Sequence, residues 1–159
     1  MSLLDKEPVQ RVEKILKEFN QSLEIIILKN SAKTAEQAAE ALSCNVGAIV
    51  KSLLFKNENG FTLCLVSGDK RCSLKNLKKI KNQKDISMAS PEEVKAQTGY
   101  TIGGVSPVGH LKIMDIYIDK SLERFKDLFA AAGHPNCVFK IEFNQLVNLT
   151  SGEMKEIAE

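Results

Sequence analysis

Lys51 lies inside the apolar stretch IVKSLLF, residues 49–55, which has the composition of a buried β-strand. Alternate residues of a strand share a face, so Lys51 is expected beside Ile49, Leu53 and Phe55. An ammonium in such surroundings extends past its neighbours to water, or pairs with a carboxylate at a strand end, or is held in a concave site for an anionic ligand. The strand pattern alone leaves all three explanations open.

A second candidate site is the loop GGVSPVG, residues 103–109, in which three glycines and a proline fall close together. Glycine lets a ligand approach the main chain closely, and Pro107 fixes the bend. Such a loop can direct backbone N–H groups at one point, where an oxyanion or a phosphate oxygen would bind. It has no Gly-Lys-Ser/Thr phosphate-loop pattern, and a simple tight turn explains the composition equally well.

The loop AGHPN, residues 132–136, contains His134, one of two histidines. A histidine in a loop is either a surface residue or a residue that contacts substrate. Pairing of His134 with Cys137 as a nucleophile is disfavoured because Cys137 begins an apolar strand. The sequence also has no GxSxG or HExxH pattern, and we expect no metal and no cofactor. An enzyme built from these residues would act by positioning and electrostatics, without a covalent intermediate.

The chain has 159 residues, of which 43% are hydrophobic and 26% are charged, and residues 1–159 are predicted to form a single domain. Its net charge of +2 is too small for a dedicated DNA-binding protein, so DNA is not an expected partner. The stretch KNLKKIKNQK, residues 75–84, has five lysines and no acid. It is either the solvated face of a helix or a contact for a phosphate backbone.

The sequence has no stretch approaching the roughly 20 apolar residues of a membrane span, and no membrane partner is expected. Its four cysteines are scattered without a CxxC pair. This spacing indicates reduced thiols, with neither a disulfide framework nor a zinc site. A cytoplasmic location is the expectation.

Helical and strand patterns are interspersed along the chain. The predicted helices follow caps at Thr34, Ser73 and Ser90, and two more cover 9–19 and 121–132. Strands are predicted at 23–28, at 113–118, from Cys137 onward, and in a hairpin that turns at an Asn-Gly pair after residue 55. This order predicts an α/β domain with a mixed sheet.

Five segments in their order resemble one family: TAEQAAEAL, IVKSLLF, LVSGDKR, TGYTIGGVSPVGH and AGHPN. The chain is similar to the YbaK family of free-standing aminoacyl-tRNA deacylases, which is related to the editing domain inserted in bacterial prolyl-tRNA synthetases. The resemblance covers about Val9 to Thr150. It implies a barrel-like mixed β-sheet surrounded by helices, the YbaK-like fold.

The resemblance also implies hydrolysis of the ester that joins a wrong amino acid to the 3′ end of a tRNA, often tRNA(Pro). It makes Lys51 the cation that anchors the terminal adenosine and its phosphate, and Gly103 the second catalytic residue. The Gly103–Pro107 loop would border the aminoacyl group. The predicted substrate-binding residues are Thr34, Ser52, Gly104, Ser106, Pro107, Gly133 and His134. The aminoacylated 3′ end of tRNA is the expected partner, and the family relationship suggests prolyl-tRNA synthetase as a second.

The chain departs from the family at one position. Some members carry an acidic residue in the strand after the late loop, where this chain has Lys140, so that part of the pocket is not transferred. No residue is an obvious general base. A catalytically silent RNA-end binding module and a hydrolase of simple amino-acid esters remain as alternative functions.

Overall fold

The computed structural model describes residues 2–159, and a central β-sheet with helices packed around it makes up the fold. None of the helices in this described range is long and apolar enough to cross a lipid bilayer. The helices are α1 (Glu7–Phe19), α2 (Ala35–Leu42), α3 (Leu74–Lys81), α4 (Pro91–Thr98) and α5 (Phe143–Thr150). The strands are β1 (Ile25–Ile27), β2 (Ile49–Asn57), β3 (Gly60–Ser67), β4 (Ser87–Met88), β5 (Asp115–Asp119), β6 (Asp127–His134), β7 (Cys137–Glu142) and β8 (Glu153–Lys155).

The sheet is mixed, which confirms the predicted fold class. Its strand order is β1-β7-β6-β2-β3-β5-β8, and the short β4 pairs with β2 outside this path. The hairpins β2–β3 and β6–β7 are antiparallel, whereas β6 joins β2, β3 joins β5 and β5 joins β8 in parallel. The two hairpins therefore meet at the parallel β2–β6 contact in the middle of the sheet.

The main core lies between the sheet and the amphipathic helix α1. Val9, Val12 and Leu16, at helical spacing on α1, are fully buried there. Residues on the inner faces of five strands meet them in the same cluster, namely Val50, Leu54, Leu63, Leu65, Ile118, Leu128, Ala130, Ala132, Cys137, Phe139 and Ile141. One face of five strands therefore contributes to a single core, which α1 covers.

The caps predicted at Thr34, Ser73 and Ser90 and the predicted β2–β3 hairpin are confirmed. Thr34, Ser73 and Ser90 each accept a hydrogen bond from the backbone N–H three residues later, at the starts of α2, α3 and α4. The β2–β3 hairpin closes on the pair Asn57↔Gly60 around a two-residue loop. Local chemistry therefore fixes these element boundaries.

The helix predicted over residues 121–132 is wrong. Residues Lys120–Arg124 form a 3₁₀ helix, and β6 starts at Asp127. In β6 the buried residues Leu128, Ala130 and Ala132 alternate with more exposed ones, which is the period of a strand. The spacing of the apolar residues is compatible with a helix and with a strand. Pairing with β7 and β2 stabilises the strand.

Truncation of Leu128 tests the packing of β6 against the main core. Leu128 is fully buried in the main core, so Leu128→Ala is expected to lower the free energy of unfolding by about 2–5 kcal/mol. Ile113 is fully exposed, and Ile113→Ala should change it by less than about 0.5 kcal/mol. Urea unfolding of both variants makes the measurement, and similar losses for the two would contradict the inward orientation of Leu128.

Candidate active site

Strand β2 is paired along one whole edge and only partly along the other. On the first edge it pairs with β3 from Val50 to Asn57. On the second it meets β6 at Ile49 and Val50 and β4 at Phe55 and Lys56. No strand of the described chain pairs with residues 51–54 along this second edge, so the sheet opens there.

A cavity of about 380 Å³ occupies this opening, a volume in the range of small-molecule sites. One wall is β2 from Ile49 to Leu54, and the opposite wall is β6 from Phe129 to Ala131. Three further segments complete the lining of the cavity, namely the start of α2, the glycine-rich loop and the turn after β6. They contribute Ala32, Lys33, Thr34, Gly103, Val105, His134 and Pro135. Segments that are distant in sequence therefore meet around the opening in the sheet.

Lys51 lines this cavity, and its partly buried ammonium donates a hydrogen bond to the carbonyl oxygen of Lys70, a residue outside the lining. A carbonyl is a neutral acceptor, so the charge has no carboxylate compensating it at this contact. Two of the three ammonium N–H donors remain for another acceptor. Lys51 is therefore a positioned cation with spare donors at the edge of an apolar cavity.

An ion pair fixes the segment that carries the Lys70 carbonyl. Arg124 donates to both carboxylate oxygens of Asp69, at 2.7 and 3.1 Å, and to the Ser67 hydroxyl at 2.9 Å. The buried Ser67 hydroxyl in turn donates to the Gly47 carbonyl. The Arg124 guanidinium holds the pKa of Asp69 at about 2, with a smaller contribution from Ser67. These contacts tie the end of β3 to the turn that precedes β2.

Side chains outside the cavity hold the glycine-rich loop. The buried Tyr100 hydroxyl donates to the Val108 carbonyl at 2.6 Å, and Arg11 donates to the Gly109 carbonyl at 2.6 Å. His110 donates from Nε2 to the Ser106 carbonyl at 2.8 Å, and burial lowers the His110 pKa. His110 is thereby assigned to supporting the loop, since its ring is engaged with the main chain.

The loop packs directly on the turn after β6. A Cβ placed on Gly104 would lie 2.8 Å from the His134 nitrogen, so only glycine fits between the two backbones. Gly103 has φ +97°, which is strained for any other residue, although space is available at its Cβ. Gly104 donates to the Thr101 carbonyl, whereas the N–H groups of Gly103 and Val105 have no acceptor within residues 2–159.

Ser52 contributes an unsatisfied polar atom to this wall. Its hydroxyl oxygen is buried and has no hydrogen-bond partner among the residues that the structure describes. Because buried polar groups are nearly always paired, an unpaired hydroxyl needs an explanation. Ser52 lies midway along the unpaired edge of β2 and lines the cavity, so its hydroxyl is available to water or to a molecule bound there.

His134 and Cys137 also line the cavity, but they are not arranged as a nucleophile and its base. His134 accepts the Asn136 N–H on Nδ1 at 3.0 Å, which places its proton on Nε2 when the ring is neutral. Burial, followed by the charge of Lys6, lowers the His134 pKa. Burial raises the pKa of the Cys137 thiol, so the reactive thiolate is disfavoured.

Comparison with known proteins identifies the family. The sequence model of the aminoacyl-tRNA editing domain matches residues 29–149. This chain belongs to the aminoacyl-tRNA editing domain family. The match includes the opening in β2, the glycine-rich loop and the turn after β6, so the segments that form the cavity all lie within the family domain.

Individual relatives agree with this assignment. YwhH of Bacillus subtilis, an uncharacterized protein, is 34% identical over 81% of this chain and 82% of its own. EbsC of Enterococcus faecalis, a candidate Cys-tRNA(Pro)/Cys-tRNA(Cys) deacylase, is 29% identical over 78% of this chain and 76% of its own. The proline–tRNA ligase of Thermosipho africanus is 38% identical over 60% of this chain but only 17% of the ligase.

Solved structures show the same fold. The crystal structure of a candidate trans-editing enzyme for prolyl tRNA synthetase superposes with a TM-score of 0.91 at 35% identity. The superposition covers 97% of this chain and 98% of the other. Such coverage shows that the editing domain fold extends over nearly the whole chain, beyond the residues matched by the family sequence model.

Within this editing domain, the predicted site residues fall into two groups. Lys51, Ser52, Thr34, Gly103 and His134 line the cavity. The other residues predicted to bind substrate do not line the cavity. Gly104 and Gly133 pack against neighbouring backbone, and Ser106 is fully buried. Pro107 belongs to the glycine-rich loop that Tyr100, Arg11 and His110 hold in place. All nine remain predictions as functional residues. Lys140, where some relatives are acidic, is exposed on β7 and does not line the cavity.

Sequence reasoning missed the residues that hold this site in place. Asp69 and Arg124 are 55 positions apart, and Arg11 and Gly109 are 98 apart. Asp69 lies within the segment LVSGDKR that carries part of the resemblance, which was the available signal for it. No local pattern pointed to Arg11 or Arg124, because their partners are known only from the fold.

Removing the Asp69 carboxylate is expected to weaken the editing domain in a pH-dependent way. The native pKa of about 2 lies below the unfolded value of about 4. The ion pair therefore stabilises the fold above about pH 4, and its contribution is lost as the pH falls towards 2. Since the pair is partly solvated, Asp69→Asn should cost about 1 kcal/mol at pH 7 and almost nothing near pH 2. Urea unfolding at several pH values measures this difference.

The control for Asp69 is Asp127→Asn, because Asp127 is exposed and has no ion pair in the described structure. At pH 7 its free energy of unfolding should lie within about 0.5 kcal/mol of the wild-type value. A loss for Asp69→Asn that stays constant between about pH 7 and about pH 2 would contradict the role of the ion pair.

Enlarging Gly104 is expected to separate the two loops. Because the added Cβ would meet backbone atoms of His134 below 3.0 Å, Gly104→Ala should lower the free energy of unfolding by about 1–3 kcal/mol. Gly104→Ser adds one more atom and should cost more. Thermal unfolding of the pair makes the measurement, and equal stability of alanine, serine and wild type would refute the close contact.

Proposed function

We propose that this chain is a trans-acting deacylase that hydrolyses the ester of a mischarged tRNA, with tRNA(Pro) as the first candidate. The carrying observation is that Lys51, Ser52 and Gly103 line one cavity, and that the Ser52 hydroxyl is unpaired in the described structure. Membership of the aminoacyl-tRNA editing family supports this, and so do the activities named for EbsC and for the trans-editing enzyme.

Lys51 would bind the negatively charged end of the tRNA. Its bond to the Lys70 carbonyl fixes the ammonium, and its two remaining N–H donors suit the phosphate of the terminal nucleotide. The apolar surroundings reduce competition from water and strengthen the attraction. Such a fixed cation would orient the ester within the cavity before the reaction.

The glycine-rich loop would stabilise the charge that develops during hydrolysis. Water adds to the ester carbonyl carbon, the carbonyl oxygen becomes an oxyanion, and the bond to the ribose oxygen then breaks. The products are the free amino acid and a tRNA whose ribose hydroxyl has regained a proton. The unpaired N–H groups of Gly103 and Val105 are the candidate oxyanion donors, each worth about 3–4 kcal/mol in such a role.

His134 would donate a hydrogen bond to the substrate rather than accept a proton. Its Nδ1 is occupied by the Asn136 N–H, so a neutral ring presents Nε2–H. The Ser52 hydroxyl, on the β2 side of the cavity, would pair with the aminoacyl group. Activation of the attacking water is assigned to a hydroxyl of the substrate or to a polar group of the cavity.

Prolyl-tRNA synthetase is proposed as a partner in the same process, acting where the synthetase releases the wrong product. The support is the similarity to proline–tRNA ligases and to a trans-editing enzyme for that synthetase. A cytoplasmic location would follow from this role, because tRNA charging takes place there.

The central test is deacylation of alanyl-, cysteinyl-, seryl- and threonyl-tRNA. Wild type should release at least one of these amino acids, and Lys51→Ala should do so about 100-fold more slowly because the ester is no longer oriented. Lys56→Ala is the matched control, since Lys56 lies on the same strand with its side chain 59% exposed. Equal rates for wild type and Lys51→Ala would sink the proposed mechanism.

The same experiment separates the alternative functions. Binding of tRNA without release of any amino acid would favour an RNA-end binding module, which the lysines of α3 also suggest. Equal turnover of a simple amino-acid ester lacking tRNA would favour a small-molecule hydrolase.

A further inference from the structure

A second concave surface, here called the lysine groove, lies between α3 and the C-terminal strand. It has a volume of about 630 Å³ and shares no lining residue with the cavity described above. Its lining comprises Asn76, Lys79, Ile80, Lys120, Met154, Lys155 and Glu156. None of these residues takes part in the proposed hydrolysis, so the lysine groove has no assigned role.

The lysine groove concentrates positive charge. Three lysines face one glutamate there, which leaves two net positive charges, as many as the whole chain carries. Lys79 and Lys120 have no acidic partner within 4.0 Å among residues 2–159, whereas Lys81 on the same helix is paired with Asp115 at 3.1 Å. Lys155 has only an exposed pair with Glu153 at 3.4 Å. A local field of this sign attracts polyanions.

The lysine groove also has an apolar floor. Ile80 and Met154 are 37% and 47% exposed between the lysines. A nucleotide chain alternates charged phosphates with flat, weakly polar bases and sugars, so cations around an apolar floor match it in both respects. A free phosphate would gain nothing from these exposed apolar side chains.

The register of the sheet relates the lysine groove to Lys51. Lys51 pairs with Val66 on β3, and Asp119 pairs with Lys155 on β8. Because Leu65 pairs with Ile118, the next row joins Val66 to Asp119. Lys51 and Lys155 thus stand in one row on the same face, three strand spacings or about 14 Å apart at their Cα atoms. Val66 and Asp119 in the middle of this row are buried, so the row gives the separation of the two lysines, which a few nucleotides can span over the surface.

We propose that the lysine groove binds the phosphate backbone of the acceptor arm of the tRNA whose 3′ end occupies the cavity. This rests on the proposed deacylase function and adds to it the surface that receives the rest of the substrate. Lys79, Lys120 and Lys155 contact phosphates, and Ile80 and Met154 contact sugars or bases. The lysine groove supplies affinity independent of the aminoacyl group, while the cavity supplies the reaction.

Binding of an unacylated RNA hairpin that reproduces the acceptor stem with its single-stranded 3′ end tests this. Kd is measured by fluorescence anisotropy at several salt concentrations. The slope of log Kd against log salt should be smaller by about 1–2 in the double variant Lys79→Gln/Lys120→Gln than in wild type. Affinity at low salt should fall about tenfold. Lys78→Gln is the matched control, because two residues along a helix turn Lys78 about 200° from Ile80 and hence away from the lysine groove.

Kinetics distinguish failure of this inference from failure of the deacylase proposal. The double variant should show a KM about tenfold higher for aminoacyl-tRNA and an unchanged kcat, and no such loss with an aminoacyl adenosine, which is too short to reach the lysine groove. Unchanged binding and unchanged KM in the double variant would overturn the role of the groove while leaving the deacylase intact. A wild type that hydrolyses neither substrate overturns the deacylase, and the anisotropy slope then still decides whether the groove binds RNA.

Discussion

The unequal pairing of β2 is the constraint from which the rest of the site follows. β3 pairs with β2 from Val50 to Asn57 and holds it in place, although residues 51–54 have no strand partner on the other edge. This opening contains the cavity that Lys51 and Ser52 line. Another strand paired with β2 at this gap would form hydrogen bonds with its backbone and would fill the cavity.

Polar groups in an apolar wall are costly, and the fold offsets that cost with contacts outside the cavity. Arg124 and Asp69 fix the segment whose carbonyl receives the Lys51 ammonium. Tyr100 and Arg11 hold the carbonyls at the end of the glycine-rich loop. Groups fixed in this way need little rearrangement when charge appears in a reaction, which is the condition for electrostatic catalysis.

Much of the fold was predictable because its boundaries depend on local chemistry. Caps at Thr34, Ser73 and Ser90 and the turn before Gly60 act within a few residues, and all four were identified from the sequence. The segment 121–132 was not, because its apolar spacing suits a helix and a strand alike. Only the pairing of β6 with distant strands separates the two possibilities, and that information is not local.

The candidate site, like the fold, was predictable from the sequence only in part. A lysine among apolar residues and a cluster of glycines are visible in a sequence, and the structure brings Lys51 and Gly103 to one cavity. The Asp69–Arg124 contact is not visible, because surface charges give no indication of their partners. The different reasons for Gly103 and Gly104, a positive φ in one and a close backbone contact in the other, likewise emerge only from coordinates.

The two outer strands of the sheet have a consequence for how molecules of this protein meet. Both β1 and β8 are three residues long, and exposed Glu24 and Lys29 flank β1, where Ile27 is also exposed. A second molecule that paired with either edge strand would meet few unpaired backbone groups and a nearby charged side chain. Such short edge strands with charged residues nearby give little template for pairing with a second sheet, even though Ile27 is exposed.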